Sequence, residues 1–375
     1  FIAWRKQLAV DLQKEGANAI TSAWAKVGLG PLLNKHCEMW TAAIRHFGGG
    51  SLMDEAKRIM ASATAVDELR VLTTRAQLRC IPSSKTLFAP ASSPGFDRNQ
   101  CSGVTAGHLV RALLRAGPWS YVHAAHSVGW LHEPSWTPPL TSEDARNFRD
   151  ETHRIVITKR TPTGLEKDVR ELGVSYPVQH VPPGEGVVDI LFPTVKGIVQ
   201  QRRVLGPGVE RGWLPFTRRN VLRLAFSEQG RGYGWGESQG LTDCSRLLLD
   251  TFRPFGISLG RHSSDQARSG TSIIELGGLA PSIKRKLIRS ASFNGVIFLY
   301  MKGHIMLYLG EHGGKDYALS AIHSFATLCP SGRANGETVI AKVVVSDLLV
   351  GSGTKKGSFI ERIERAAVFG IKSGL

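Results

Sequence analysis

The sequence has few cysteines and no long apolar run. None of its five cysteines (Cys37, Cys80, Cys101, Cys244 and Cys329) stands in a Cys-x-x-Cys spacing. So sparse and odd a set predicts neither a disulfide framework nor a structural zinc site. Apart from Cys244, each cysteine is expected to be a small buried hydrophobe. No stretch approaches the roughly 18 to 20 apolar residues of a membrane-spanning helix, so no integral membrane segment is expected.

The sequence also lacks a phosphate-binding motif. The glycine-rich run at 230–236 fits neither Gly-x-Gly-x-x-Gly nor a Gly-Lys-Ser or Gly-Lys-Thr ending. A metal site built from Cys244, His304 and His323 would lack the short paired spacings that zinc sites favour. No cofactor and no metal are therefore expected.

Acidic residues are under-represented, and the surplus of Lys and Arg gives a net charge of +16. Such a charge favours polyanionic surroundings, namely nucleic acid, anionic lipid or cell-wall polymer. The basic residues are scattered and lack the aromatic platform of single-stranded nucleic acid binders, so nucleic acid is not an expected partner. The first thirty residues show no basic region followed by an apolar block, so no signal segment is visible.

A chain of 375 residues predicts two or three domains. Residues 1–69 follow helical spacing, with a second helix predicted from Leu52 to Leu69. Residues 70–138 and 150–220 change to a period of two, and each stretch contains a Gly-Trp-Leu triplet near its end, at 129–131 and 212–214. We interpret these stretches as two similar small barrels in tandem, the alternative being that the triplets coincide by chance.

Residues 221–375 predict an α+β domain. Polar residues precede an apolar helical pattern, so Thr242 or Asp243 is expected to cap a helix that holds Cys244 in its first turn. Four strands are predicted downstream, at Val296–Tyr300, His304–Leu309, Tyr317–Phe325 and Thr338–Val345. A cysteine-bearing helix followed by a histidine-bearing antiparallel sheet is an α+β layout.

Cys244 is the best candidate nucleophile. The positive end of a helix dipole favours a thiolate over a thiol, and polar neighbours surround this position. A nucleophilic cysteine also needs a base and a group that orients the base. His304 is the best base, and His323 on the next strand is expected to lie beside it.

The motifs in the second half of the chain resemble those of the NlpC-type cell-wall cysteine peptidases. These papain-like enzymes include a form with two bacterial SH3-like domains ahead of the catalytic domain. The matching segments are Gly-Trp-Gly at 234–236, Asp-Cys-Ser at 243–245, Phe-Gly-Ile at 255–257, Leu-Gly-Arg-His-Ser at 259–263 with Gln266, Gly-His-Ile-Met-Leu-Tyr-Leu-Gly at 303–310 and Ile-His-Ser at 322–324.

The resemblance implies a multidomain fold. A helical N-terminal stabilising segment would occupy residues 1–69, and two small all-β SH3-like barrels residues 70–138 and 150–220. A C-terminal α+β papain-like cysteine peptidase domain would occupy residues 221–375.

The resemblance also implies roles for individual residues. Cys244 would be the nucleophile, His304 the general base and His323 the orienting group. The implied substrate-binding residues are Tyr233, Trp235, Asp243, Ser245, His262 and Ser263. The chain departs from the family at 260 and 262, where Gly and His replace the usual Pro and Asn or Asp. The loop at 97–102 is the candidate for the pocket wall that the first SH3-like domain supplies.

The implied activity is hydrolysis of the γ-D-glutamyl to diamino acid bond (meso-diaminopimelate or Lys) of peptidoglycan stem peptides, often with a free L-Ala amine required. Two alternatives remain open. One is a non-catalytic wall-binding protein with a decayed peptidase domain, and the other is a thiol acyltransferase or amidase on the same scaffold. We expect a monomer that acts on wall or released murein peptides in the cell envelope rather than the cytoplasm.

Overall fold

The computed structural model describes residues 50–87, 96–149, 153–162, 169–182, 186–328 and 335–370. Their helices are α1 Gly50–Ala61, α2 Ser142–Arg149, α3 Arg218–Ser227, α4 Cys244–Phe252, α5 Ser263–Gln266, α6 Pro281–Ser292 and α7 Phe359–Arg362. Their strands are β1 Thr64–Val71, β2 Ala76–Arg79, β3 Gln100–Val104, β4 Leu109–Ala116, β5 Trp119–Ala124, β6 Ser127–His132, β7 Arg154–Ile157, β8 Thr161–Pro162, β9 Val169–Arg170, β10 Ser175–His180, β11 Val187–Thr194, β12 Gly197–Val204, β13 Val209–Arg211, β14 Ser272–Glu275, β15 Gly295–Met301, β16 His304–His312, β17 Lys315–Leu328, β18 Asn335–Asp347 and β19 Arg365–Gly370. None of these helices is long and apolar enough to cross a membrane.

The first β unit is a six-stranded antiparallel sheet in the order β1-β4-β5-β6-β2-β3. The helix predicted to run to Leu69 is wrong in its second half, because α1 ends at Ala61 and Thr64 begins β1. The β-branched Thr64 and Val66 suit a pleated strand, and β4 supplies the pairing partner. The predicted helix within residues 1–49, Cys37 and Cys329 lie outside the described residues.

Cys80 and Cys101 form a disulfide, so the expectation that they are isolated buried hydrophobes is wrong. Leu78 in β2 pairs with Ser102 in β3, and this register brings the two cysteine Cα atoms to 5.2 Å. The partners lie 21 residues apart, and only the strand pairing shows that they meet. Cys244 is the free cysteine of the described residues.

The second β unit has the strand order β12-β11-β10-β7-β13, with a separate β8-β9 pair. The two Gly-Trp-Leu triplets occupy different positions in their units. Trp130 lies inside β6 and is fully buried, whereas Trp213 follows the end of β13 and is half-buried. These strand orders establish two β-rich units, and the SH3-like barrel stays a prediction for both.

The third unit contains a six-stranded sheet in the order β14-β19-β15-β16-β17-β18, and all four predicted strands are confirmed within it. One face packs against α4 through Leu247, Leu248 and Phe252. The other face packs against α6 and α7, for example through Ile288 and Phe359. Each of these buried side chains stabilises the fold by about 1.5–3 kcal/mol. The packing fixes the start of α4 against the sheet.

A buried carboxylate, that of Glu237, joins the three units. Its Oε1 accepts hydrogen bonds from Ser102 Oγ at 2.8 Å and from the backbone N–H of Gly103 at 3.1 Å. Its Oε2 accepts from Arg75 Nη2 at 2.8 Å and forms an ion pair with Arg246. Arg75 also donates to Glu171 of the second unit. One network therefore ties both β units to helix α4.

The turn that presents Glu237 is unusual in its backbone. Gly236 and Glu237 both have a left-handed backbone, with φ values of 59° and 66°. A Cβ atom at Gly236 would lie 2.4 Å from the carbonyl oxygen of Gln100, so this close approach requires glycine. The non-glycine Glu237 is strained in this region, and its ion pairs offset the cost.

We expect Glu237→Gln to lower the free energy of unfolding by about 3–5 kcal/mol, because it leaves buried arginines without their counter-charge. Urea denaturation followed by tryptophan fluorescence would measure the loss. The control is Glu275→Gln, which removes the partner of Arg365 where the Glu275 side chain is 67% exposed, and should cost about 1 kcal/mol or less. Equal losses in the two variants would contradict a central role for Glu237.

Candidate active site

Cys244 is the first residue of α4, and Asp243 is the N-cap. Both predictions are confirmed. The Asp243 backbone is extended, and its Oδ1 accepts a hydrogen bond from the backbone N–H of Arg246 at 2.9 Å. The thiol therefore lies at the positive end of the helix dipole.

The carboxylate of Asp243 is fully used within the protein. Besides Arg246, it accepts from the backbone N–H of Gly236 at 3.1 Å, from Ser245 Oγ at 3.1 Å and from two nitrogens of Arg261. Asp243 is also buried, at 6% exposure. These contacts indicate that Asp243 fixes the start of α4 and the Arg261 side chain, and its role in binding substrate stays a prediction.

The thiol of Cys244 is 8% exposed and protonated at neutral pH. Burial, followed by the nearby Asp243 charge, raises its pKa to about 12, although backbone N–H groups of Ile305 and Ser245 act in the opposite direction. The predicted thiolate is therefore not the resting state. Removing the thiolate from water raises the Cys244 pKa by more than the helix dipole lowers it.

His304 opens β16, and Ile305, whose backbone N–H acts on the Cys244 sulfur, follows it directly. The His304 Nε2 atom lies 3.1 Å from Ser320 Oγ on the neighbouring strand β17. Burial and, to a smaller extent, the Arg362 charge lower the His304 pKa to about 4, although the Asp243 charge acts in the opposite direction. The structure therefore brings a neutral imidazole to the end of α4 that carries a neutral thiol.

The prediction that His323 lies beside His304 is wrong. The His323 ring packs edge-on against Phe96 at 4.5 Å and Tyr233 at 5.5 Å, and its Nδ1 lies 3.3 Å from Ser324 Oγ. The pairing of β17 with β18 is irregular between Ile322 and Ser324, at His323, whereas Ser320 Oγ meets His304 Nε2. The group that contacts His304 is therefore Ser320.

An aromatic wall, formed by Phe96, Tyr233, Trp235 and His323, stands beside Cys244. Phe96 comes from the first β unit, and its ring lies 5.9 Å from Tyr233 and 5.5 Å from Trp235. Burial raises the Tyr233 pKa, and Tyr233 packs against the hydrophobic cluster that contains Cys244. Tyr233 and Trp235 thus both contact Phe96, and their role in binding substrate stays a prediction.

The remaining predicted binding residues differ in exposure. Ser245 is buried, and its Oγ donates to Asp243 and accepts from Arg261 Nη1 at 2.7 Å. Ser263 is half-buried at the start of α5. His262 is exposed as the N-cap of that helix, without a side-chain cap hydrogen bond.

The sequence interpretation gave no role to several residues that build the site. Ser320 and Arg261 contact the residues predicted to act, and Phe96 belongs to the wall. Gln266 donates to the backbone carbonyl of Ser245 at 2.8 Å and fastens α5 to α4. In the sequence, Ser320 could have been noticed because it is a polar residue within the otherwise apolar run of residues 318–322.

The described residues contain no group of three or more His, Cys, Asp or Glu side chains placed to hold a metal ion. The expectation that the protein uses no metal stays a prediction.

The comparisons with known proteins identify the third unit. A sequence model of the NlpC/P60 family matches residues 230–317, so the C-terminal part of the chain contains an NlpC/P60 family domain. No curated protein matches the chain.

Two solved structures have a similar fold. An NlpC/P60 endopeptidase from Photobacterium damselae subsp. piscicida has a TM-score of 0.67 at 16% identity, over 85% of this chain and 78% of that one. An NlpC/P60 family protein from Bacillus cereus ATCC 10987 has a TM-score of 0.53 at 14% identity, over 80% of this chain and 99% of that one. At these identities the likeness establishes the fold, which extends beyond the matched domain into the β units.

The low His304 pKa predicts an unusual pH profile. A general base must be unprotonated, so we expect the acid limb of kcat/KM to have its midpoint near pH 4, well below the ordinary value of 6.5. Initial rates of peptide cleavage between pH 3 and 8 would measure it, with circular dichroism at each pH as the control for unfolding. A midpoint at 6–7 would show that the imidazole is not buried in the working enzyme.

Proposed function

We propose that the protein is a cysteine endopeptidase that hydrolyses the γ-D-glutamyl to diamino acid bond of peptidoglycan stem peptides. The observation that carries the proposal is the capped Cys244 at the start of α4, next to His304 at the start of β16. A thiol at a helix N-terminus beside an oriented imidazole is the arrangement that acyl transfer to sulfur needs. The NlpC/P60 match over residues 230–317 supports the same class of reaction.

The neutral resting pair determines how the thiol is activated. Because His304 Nε2 faces Ser320, we assign the Nε2–H tautomer, which leaves the Nδ1 lone pair to accept the Cys244 proton. Proton transfer accompanies attack of the sulfur on the γ-glutamyl carbonyl, because the thiolate is not formed in advance. The backbone N–H of Cys244 and the helix N-terminus stabilise the tetrahedral oxyanion.

The second half of the reaction reverses these roles. The His304 imidazolium gives its proton to the departing amine of the diamino acid, and the C–N bond breaks to leave a thioester on Cys244. Water, deprotonated by the same imidazole, then attacks the thioester carbonyl. Cleavage of the C–S bond returns the thiol and releases the γ-glutamyl carboxylate.

The two β units and the charge fit an enzyme of the cell wall. We propose that both units are SH3-like modules and that the protein acts as a monomer in the envelope. The Cys80–Cys101 disulfide supports an oxidising compartment, because disulfides persist outside the cytoplasm. The net charge of +16 favours association with anionic wall polymers.

We expect mass spectrometry of L-Ala-γ-D-Glu-meso-diaminopimelate to show release of free diaminopimelate by the parent protein and none by Cys244→Ala. The variant removes only the sulfur, so its circular dichroism spectrum should match that of the parent. Release by Cys244→Ala would contradict the nucleophile assignment. A parent protein that leaves this peptide, its N-blocked form and intact wall uncleaved would favour the wall-binding alternative, and a product mass showing an amine acceptor would favour a transferase.

The proposed roles of the neighbouring residues predict an order of effects on kcat. His304→Ala should lower kcat by about 100-fold or more, because the general base is lost. Ser320→Ala should lower it by about 10-fold through loss of one orienting hydrogen bond, and Ser320→Asn should restore part of the rate. His323→Ala should change KM more than kcat, because its ring lies in the aromatic wall. A larger kcat loss in His323→Ala than in Ser320→Ala would reverse the two assignments.

A further inference from the structure

Arg98 is a cation in the aromatic wall. Its guanidinium carbon lies 4.1 Å from the centre of the Trp235 ring and 5.5 Å from that of Phe96. The Arg98 charge also acts on Tyr233, and Tyr233 packs against the hydrophobic cluster that contains Cys244. Arg98 therefore belongs to the same wall as the residues beside the nucleophile.

This guanidinium has no anionic partner in the described part of the chain. Its Nε is buried without a hydrogen-bond acceptor. The adjacent carboxylate of Asp97 pairs instead with Arg79 Nη1 at 2.7 Å. Arg246 and Arg261, by contrast, each meet a carboxylate. Arg98 thus differs from the buried arginines around the site.

A guanidinium that contacts an aromatic ring through its face keeps its N–H donors in its own plane. Stacking on Trp235 uses a face of the planar group and contributes about 0.5–2 kcal/mol. The N–H groups lie in the plane, where they can bind a carboxylate through two parallel hydrogen bonds. Burial without such a partner is costly, which agrees with the lowered pKa of Arg98.

The segment that carries Arg98 is held firmly in place. The Cys80–Cys101 disulfide closes the loop, and the side-chain amide of Asn99 donates to the backbone carbonyl of Ser83 at 2.9 Å. Asp97 Oδ1 accepts from the backbone N–H groups of Leu87 and Asn99. These contacts fix the backbone on both sides of Arg98, so the loop holds this cation in a defined position in the wall.

We propose that Arg98 is a specificity residue that binds a carboxylate of the substrate in the wall of the active site. The inference rests on the proposed peptidase function and names a contact of that same site. A stem peptide offers two sources, the α-carboxylate of the γ-linked glutamate and the carboxylates of the diamino acid. The Arg98 cation also repels a substrate ammonium group. The family resemblance, by contrast, implies a substrate with a free L-Ala amine.

The test compares three peptides: L-Ala-γ-D-Glu-meso-diaminopimelate, the same peptide amidated on the glutamate α-carboxyl, and the peptide amidated on the diaminopimelate carboxyls. The parent should lose about 10- to 100-fold in kcat/KM, mainly through KM, on the peptide whose amidation removes the bound carboxylate. Arg98→Gln should show the same loss on the unmodified peptide and no further loss on that amidated peptide. The amidated peptide on which the parent protein has the lower kcat/KM identifies the carboxylate that Arg98 binds.

Arg98→Lys keeps the charge but not the planar fork, and should recover only part of the loss. The control is Arg268→Gln, which removes an arginine of the third unit that is 65% exposed, and should leave all three rates unchanged. Thermal unfolding of each variant checks that the fold is kept. Equal rates of the parent on all three peptides, or an equal loss of Arg98→Gln on all three, would overturn the proposal.

Calorimetric binding of the peptides to Cys244→Ala and to the Cys244→Ala, Arg98→Gln double variant separates the two proposals. If the parent cleaves none of the peptides, the peptidase proposal fails. A tenfold or greater difference in Kd between these two proteins on the unmodified peptide would still support Arg98 as a carboxylate-binding residue. No difference in Kd would overturn it.

Discussion

The position of helix α4, which carries Cys244, depends on the buried charge of Glu237. This carboxylate meets Arg75 of the first β unit and Arg246 of α4, and Arg75 continues to Glu171 of the second unit. Although burial acts to raise it, the surrounding arginines hold the Glu237 pKa below its usual range, so the group stays ionised when folded. Buried charges of this kind are costly when one partner is lost, which makes the three units depend on each other.

The active site shows the same balance between burial and charge. Cys244 and His304 both lie where desolvation disfavours their ionised forms, so the pair rests as thiol and imidazole. Asp243 raises the cost of the thiolate while it holds Arg261 and the first turn of α4. In the proposed mechanism, reactivity depends on the orientation of His304 by Ser320 rather than on a preformed thiolate.

Much of the third unit could be predicted from local pattern. Local sequence predicts the cap at Asp243, the helix that begins at Cys244 and the strand that begins at His304. The signals are the spacing of apolar residues and the polar residues at the ends of each element, which extend over only a few positions. The partner of His304 could not be predicted in this way. Its identity depends on strand register: the sequence predicted His323, whereas the pairing of β16 with β17 brings Ser320 to the imidazole.

The sequence by itself determined the order of the units, the reactive cysteine and its helix, because these features are encoded by neighbouring residues. The tertiary structure decided which distant groups meet. It joined Cys80 to Cys101, placed Arg98 on Trp235 and enclosed Glu237 among arginines from separate units. Such contacts depend on how sheets and loops pack against one another. A residue's own neighbours in the chain carry little information about a partner 100 residues or more away.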